Sequence, residues 1–452
     1  MRSSAFLLVL ASAAATTIAC HSAAPPPPPP PRTLSDSAAG ALRWVDAHTM
    51  PFEIADSVAS ANERTQLTAF VGSARVFGLS ELSEGSHEFP YIVRRTVLGL
   101  AESGRVRGLA IQAPMAEAME IDRYVRGGPG DVLRLLRTLD NWRWETHEMR
   151  ALVEAMRAWN AGKPRAQQVG FYGFEIPSAA HAVHVVTSLP DSVVGAPLKA
   201  YLTRQYSCVA INESAHWGLE GRTADSSYWN ACGPATAAAL DSVVALRGRM
   251  SASSRPAGDV DFAVEMARLI AHHVKVGLRH LKREEVNTEH VLYLADQLGP
   301  DATLMLWGGD VEMGRLTLEK TTIQTGLPLG QRLGDKYRAV AFAFGTGTLR
   351  TRGASVGQRA SGPPGLSDVA IAPPLPDTYE EVLSRAAPAA FWVDMRSLPA
   401  DAAGHWLGGP RSMRLVTELY IAGAPESTET PVEFPKFFDG VVFVKHATPA
   451  RQ

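Results

Sequence analysis

Glu81 and Glu84 lie three residues apart in the run Ser80-Glu81-Leu82-Ser83-Glu84-Gly85-Ser86-His87-Glu88, directly after an apolar stretch. At a strand-to-helix transition that spacing lets both carboxyl groups share one face. Two carboxyl groups crowded in a cleft cannot both ionise cheaply, so one keeps its proton as an acid while the other acts as a base. Asp310 and Glu312, in Gly308-Gly309-Asp310-Val311-Glu312, are two apart and fall on the same side of an extended segment. Gln112 and Glu175 each follow an apolar run as well. His87 comes one helical turn after Glu84 and is a candidate base in its own right. Each residue also has an ordinary reading. Glu84 suits the first turn of a helix, where the dipole favours an acid, Glu312 suits a solvated loop, and His87 suits a cap. Shared position on one rim is what raises the functional reading above these.

A sheet would supply that rim. Short apolar runs occur at residues 74–79, 107–111, 169–174, 303–307, 338–344, 391–394 and 441–445, with helical stretches such as 84–103 and 116–125 between them. Continuous apolar strands separated by helices predict a parallel sheet covered on both faces, a three-layer α/β/α body. In such sheets ligands bind beyond the carboxyl ends of the strands, and the polar groups above follow the first four runs. Helical periodicity over residues 235–250 and 260–290 predicts a large helical insertion spanning about 190–300. Residues 348–374, rich in Gly, Ser and Pro, read as a long surface loop. His272, His273 and His280 have no carboxylate at metal-ligand spacing and read as scaffold.

The chain has 452 residues, 46% hydrophobic and 20% charged, with a net charge of −2. That balance leaves no electrostatic footprint for nucleic acid or anionic lipid. Met1-Arg2, an apolar run at 5–15 and Thr17-Ile18-Ala19-Cys20 read as a secretory signal, too short in its apolar core to span a bilayer. Cys20 stands where a bacterial lipobox places the diacylated cysteine; ordinary secretion with cleavage nearby is the alternative. Lipidation would put the chain in the cell envelope, touching membrane through its anchor alone. Residues 21–35 contain an unbroken run, Pro25 to Pro31, which forms a semi-rigid polyproline tether, and 36–452 read as one domain. In an oxidising compartment Cys208 and Cys232 are either a disulfide, adding about 3 kcal/mol in the chain-entropy view, or two unpaired buried thiols. No zincin, P-loop, nucleophile-elbow or dinucleotide motif is present, so the expected partner is a small-molecule substrate and no cofactor is expected. The alternative is an oxygen-liganded divalent cation (Mg, Ca or Mn rather than zinc) on Glu81, Glu84, Asp310 and Glu312.

The order of motifs resembles the erythromycin esterase family over nearly the whole chain. The segments are FGLSELSEGSHEF (77–89), RGLAIQAPMAEAMEIDRYVRGGPGD (107–131), WETHEMRALVEAMRAWN (144–160), VGFYGFEI (169–176), HVLYLADQLGPDATLMLW (290–307), VAFAFGTGTLR (340–350) and FDGVVFVKHATPA (438–450). The resemblance implies a parallel α/β core with a helical subdomain and hydrolysis of an ester or lactone. In that family the histidine of a Glu-x-x-His-Gly motif is the base acting on the attacking water. Here Glu81 and Gly85 match, but Glu84 holds the histidine position. Gln112 replaces a glutamate, and Gly309 and Glu312 replace the two histidines of a His-Asn-x-His motif. An arginine expected in the following helix falls on Val93, beside Arg94, and His290 stands for an asparagine. A glutamate base must have its pKa raised by burial or a like-charged neighbour, and Glu81 is placed to be that neighbour. The expectation is therefore an exported hydrolase with Glu84 or His87 as base and Glu81 as acidic partner. Gln112, Glu175, Asp310, Glu312, Arg94 and His290 would shape its substrate pocket. Efficient macrolide cleavage is not expected. A catalytically inactive ligand-binding lipoprotein on the same scaffold is the competing reading.

Overall fold

In a computed structural model the described residues are 32–54, 59–176, 179–210, 226–252, 258–277, 282–318, 324–355, 365–417 and 419–452. Cys20, the proline run and His280 lie outside them. Residues 36–452 pack as one compact unit.

The strands are β1 (Thr49–Pro51), β2 (Val76–Glu81), β3 (Val106–Pro114), β4 (Gly170–Glu175), β5 (Thr303–Gly309), β6 (Tyr337–Ser355), β7 (Leu366–Ile371), β8 (Ala390–Asp394), β9 (Arg411–Arg414), β10 (Leu419–Ala422), β11 (Glu429–Val432) and β12 (Gly440–Ala447). The main sheet runs β1-β8-β12-β6-β2-β5-β3-β4, with β7 and β10 added on β6. From β12 to β4 every pairing is parallel. Every residue of β2 and β5 is buried, as expected where helices cover both faces of a parallel sheet. The fold is α/β, a mostly parallel mixed sheet flanked by helices.

Three expectations need correction. The apolar run at 391–394 does not extend the parallel order: β8 is antiparallel to both β12 and β1, so that edge is mixed. Residues 348–374 are not simply a loop, because β6 continues to Ser355 and pairs with β7 antiparallel. There Leu349 and Thr351 are buried and alternate with half-buried Arg350 and Arg352, the period-2 signal of a half-exposed strand, which the Gly/Ser/Pro composition obscured. The helix after β2 begins at Glu88, not Glu84. Residues 82–87 form a stiff loop instead, bridged at Ser83 to Val416 and at Ser86 to Pro449. Gly85 sits there at φ +90, and a Cβ on it would lie 2.1 Å from the Arg350 carbonyl oxygen. That position needs glycine.

Helices Ala196–Ala210, Ser226–Ala252, Gly258–Gly277 and Arg283–Gln297 occupy the stretch between β4 and β5. Cys208 and Cys232 form a disulfide joining the first two. Among the described residues no helix is long and apolar enough to cross a membrane.

Candidate active site

β2 lies between β5 and β6, and Glu81, its last residue, pairs in register with Gly309 and Phe342. β2 and β5 therefore end together, while β6 runs on to Ser355 beside the groups that follow them. The Glu81 carboxylate is buried and accepts the indole N–H of Trp307 at 2.7 Å. Burial pushes its pKa up to about 7, against the opposing charge of Arg143 and the Trp307 bond.

Glu84 is buried too. Its Oε1 lies 3.1 Å from Arg143 Nη1, with only 8% and 9% of the two side chains exposed. Arg143 also stacks over Trp144 at 4.6 Å, and Trp144 packs edge-on against Trp307. Gly309 borders this ion pair: a Cβ there would stand 1.8 Å from Glu84 Oε1 and 2.7 Å from Arg143 Nη1. The glycine at a position matched to a histidine is thus what gives the Glu84–Arg143 pair room. Asp310 follows at φ 51. Burial raises its pKa, opposed by the Val311 amide and by Arg143.

Gln112 ties this group to a second one. Its Oε1 accepts the Gly309 N–H at 2.8 Å, and its Nε2 donates to Glu175 Oε1 at 3.4 Å. A glutamate at 112 could accept from Gly309 but would repel Glu175, so the amide suits both neighbours. Glu175, the last residue of β4, is ion-paired with Arg283 at 3.2 Å. Glu312 is buried, accepting the Thr325 amide at 3.2 Å and bonding the Thr325 hydroxyl. Burial, then the charge of Glu175, pushes Glu312 up to about 8. Asn287 Nδ2 reaches Thr325 Oγ1 at 3.5 Å.

Six of the expected residues (Glu81, Glu84, Gln112, Glu175, Asp310 and Glu312) therefore stand in one buried polar cluster beyond the strand ends, linked through Arg143, Gly309 and the charge of Glu175 on Glu312. Three others make different contacts. His87 is the residue before the helix, not one turn into it, and its Nδ1 is 2.6 Å from the buried carboxylate of Glu148. It packs on Tyr91 at 4.6 Å, and Arg94 lies over that same ring at 4.7 Å. His290 donates from Nδ1 to the Phe174 carbonyl at 3.1 Å, and its Nε2 faces His272 Nδ1 at 3.2 Å. Burial pushes His290 down to about 4, keeping it neutral. With His272, Arg268 and Tyr293 it lines a neighbouring cavity of about 460 Å³.

Arg143, Arg283, Asn287, Thr325 and the Trp307 indole were missed from sequence. Arg143 carried one signal, since a cation between two tryptophans in Trp142-Arg143-Trp144 suggests stacking. The others had none. Among the described residues no group of three or more His, Cys, Asp or Glu side chains is placed to hold a metal ion. Glu84 and Glu175 are matched to guanidinium groups instead, an arrangement that does not fit a carboxylate-bound cation.

Comparison with known proteins agrees with the architecture. A Bacillus cereus protein superimposes with a TM-score of 0.76 at 17% identity, covering 92% of this chain and 98% of its own. A succinoglycan biosynthesis protein gives 0.76 at 15% identity, covering 93% and 100%. The erythromycin esterase EreC, as a mutant in its open conformation, gives 0.62 at 16% identity, covering 88% and 97%. At these identities the likeness is one of fold. The family model described as erythromycin esterase matches residues 104–447. On that match, well over half its length, the chain belongs to the erythromycin esterase family.

Proposed function

We propose that this chain hydrolyses an ester or lactone through carboxyl groups, with Glu81 as the base that activates water. Family membership suggests hydrolase activity. The supporting observation is Glu81 itself: buried at the end of the central strand, hydrogen-bonded to Trp307 and held near pKa 7. A base poised near the working pH is the efficient one. Glu84, with an oxygen on Arg143, positions that guanidinium rather than taking the proton, a reversal of the roles expected from sequence.

In the reaction Glu81 takes one proton from water as the oxygen bonds to the acyl carbon. The carbonyl oxygen becomes an oxyanion facing Arg143, a preorganised charge of the kind that stabilises such intermediates. Collapse breaks the bond to the alkoxy oxygen, which takes the proton of Glu312, a group protonated below about pH 8. Acid and alcohol leave, and both glutamates exchange protons with solvent. The family's histidine positions hold Glu84, Gly309 and Glu312, so macrolides are poor substrates on this reading.

Glu81→Gln tests it. Turnover of a responsive ester should fall by roughly 10²–10⁴ with the fold intact. An ester panel left wholly unturned, alongside tight ligand binding, would instead favour the inactive binding protein. The export reading completes the proposal: Cys20 carries the lipid and the proline run holds the body off the envelope membrane. Palmitate labelling that survives Cys20→Ser would refute the anchor.

A further inference from the structure

Three polar atoms of this buried cluster have no hydrogen-bond partner among the described residues: Arg143 Nη2, Asp310 Oδ1 and Asn287 Oδ1. Buried polar atoms are ordinarily paired, and exceptions call for a reason. None of the three is a loose surface group. Arg143 is fixed by Glu84 on one nitrogen and by the Trp144 face, with 9% of its side chain exposed. Asp310 is held in the left-handed region at φ 51, one residue after the glycine that abuts the ion pair. Asn287 has its amide nitrogen on Thr325, whose hydroxyl bonds Glu312, so its oxygen is left over.

One of these atoms is a donor and two are acceptors. A plain ester brings acceptors only. Its carbonyl oxygen matches Arg143 Nη2, but nothing in it can donate to Asp310 or Asn287. A hydroxyl can. We propose that the substrate is a hydroxylated acyl compound, its scissile carbonyl oxygen on Arg143 Nη2 and a hydroxyl on the α or β carbon donating to Asp310 Oδ1. This rests on the hydrolase reading and narrows it to a substrate class.

Discrimination of this kind is strong because the analogue lacking the hydroxyl leaves a buried acceptor unpaired. The test compares kcat/KM for 2-hydroxy- and 3-hydroxyacyl esters with their deoxy counterparts. One hydroxy ester should be preferred by at least about 100-fold. In Asp310→Gly, which removes the carboxylate while tolerating the positive φ, that preference should fall to near unity, whereas Asp310→Asn, which keeps an acceptor, should retain most of it. Deoxy and hydroxy esters cleaved equally well would overturn the inference while leaving the hydrolase reading standing. Were no ester cleaved at all, the hydrolase reading would fail by itself, and uncleavable hydroxyacyl and deoxyacyl amides would still decide the matter by calorimetry. Binding of the hydroxyacyl amide alone, lost in Asp310→Gly, supports the recognition; no binding, or equal binding of both, overturns it.

Discussion

Glu81→Gln should stabilise the protein while disabling it, and the pH at which it does so follows from the site. Glu81 is raised by burial from 4.5 to about 7. A group whose folded pKa exceeds its unfolded value binds protons more tightly in the native state, so its contribution is fully present below the unfolded pKa and is lost as pH rises to the folded one. The loss therefore begins near pH 4.5 and is complete a little above 7. At about 1.4 kcal/mol per tenfold in the ionisation constant, it amounts to roughly 3 kcal/mol. Glutamine cannot ionise, keeps an oxygen for the Trp307 indole, and escapes this loss. Urea unfolding of both proteins from pH 4 to pH 9 measures the difference directly, and other titrating groups cancel in the subtraction. The glutamine variant should match wild type near pH 4 and exceed it by about 3 kcal/mol at pH 8.5. A difference that stays flat across this range, or a glutamine variant weaker at pH 8.5, would show that Glu81 is not the strained buried acid the mechanism requires.

The free-enzyme pH profile of kcat/KM should be a narrow bell, its acid limb at about 7 from Glu81 and its alkaline limb at about 8 from Glu312. A plateau extending well above pH 9 would remove Glu312 as the acid. Gly309→Ala should disrupt the Glu84–Arg143 pair, because the added Cβ has no space beside Glu84 Oε1, and kcat/KM should drop by at least about tenfold. Combining it with Glu84→Gly should recover the stability, though not the rate, of the single variant, as read by thermal melts. Replacing Cys208 and Cys232 by serine should lower unfolding stability by about 3 kcal/mol, and reductant should lower the wild type by a similar amount while leaving the double variant unchanged.

Much of this was legible in the sequence for a plain reason: a parallel strand buried on both faces leaves a continuous apolar run, and the polar residue at its end marks the rim. Glu81, Gln112, Glu175 and Asp310 were all found that way. Spacing misled at His87, where three residues after Glu84 suggested a shared helical face. Gly85 at φ +90 and the bridges from Ser83 and Ser86 keep that stretch out of the helix, so the His87 ring meets Glu148 instead. Arg143 and Arg283 come from a turn and from the start of a distant helix, at no fixed offset from any strand. Only packing brings them to the rim. The β6–β7 hairpin was hidden because its alternation is short and its composition is that of a loop.

The charge balance of this buried cluster explains why its carboxyl groups divide as they do. Glu84 and Glu175 each have a guanidinium, Arg143 and Arg283. Glu81, Asp310 and Glu312 have none to themselves, and burial raises the pKa of all three. Were every group ionised, carboxylates would outnumber guanidiniums in a nearly dry site, which the low dielectric does not permit. Protonation relieves part of the surplus: Glu312 keeps its proton below about pH 8, and Glu81 exchanges one near pH 7. Arg143 is the lever on this balance, since its charge lowers both Glu81 and Asp310. Arg143→Gln removes that charge without adding bulk, so the acid limb of the activity profile should move upward from pH 7, whatever the loss in rate. A limb that stays in place while the rate falls would mean that Arg143 binds substrate only, and that the proton on Glu81 is set by burial alone.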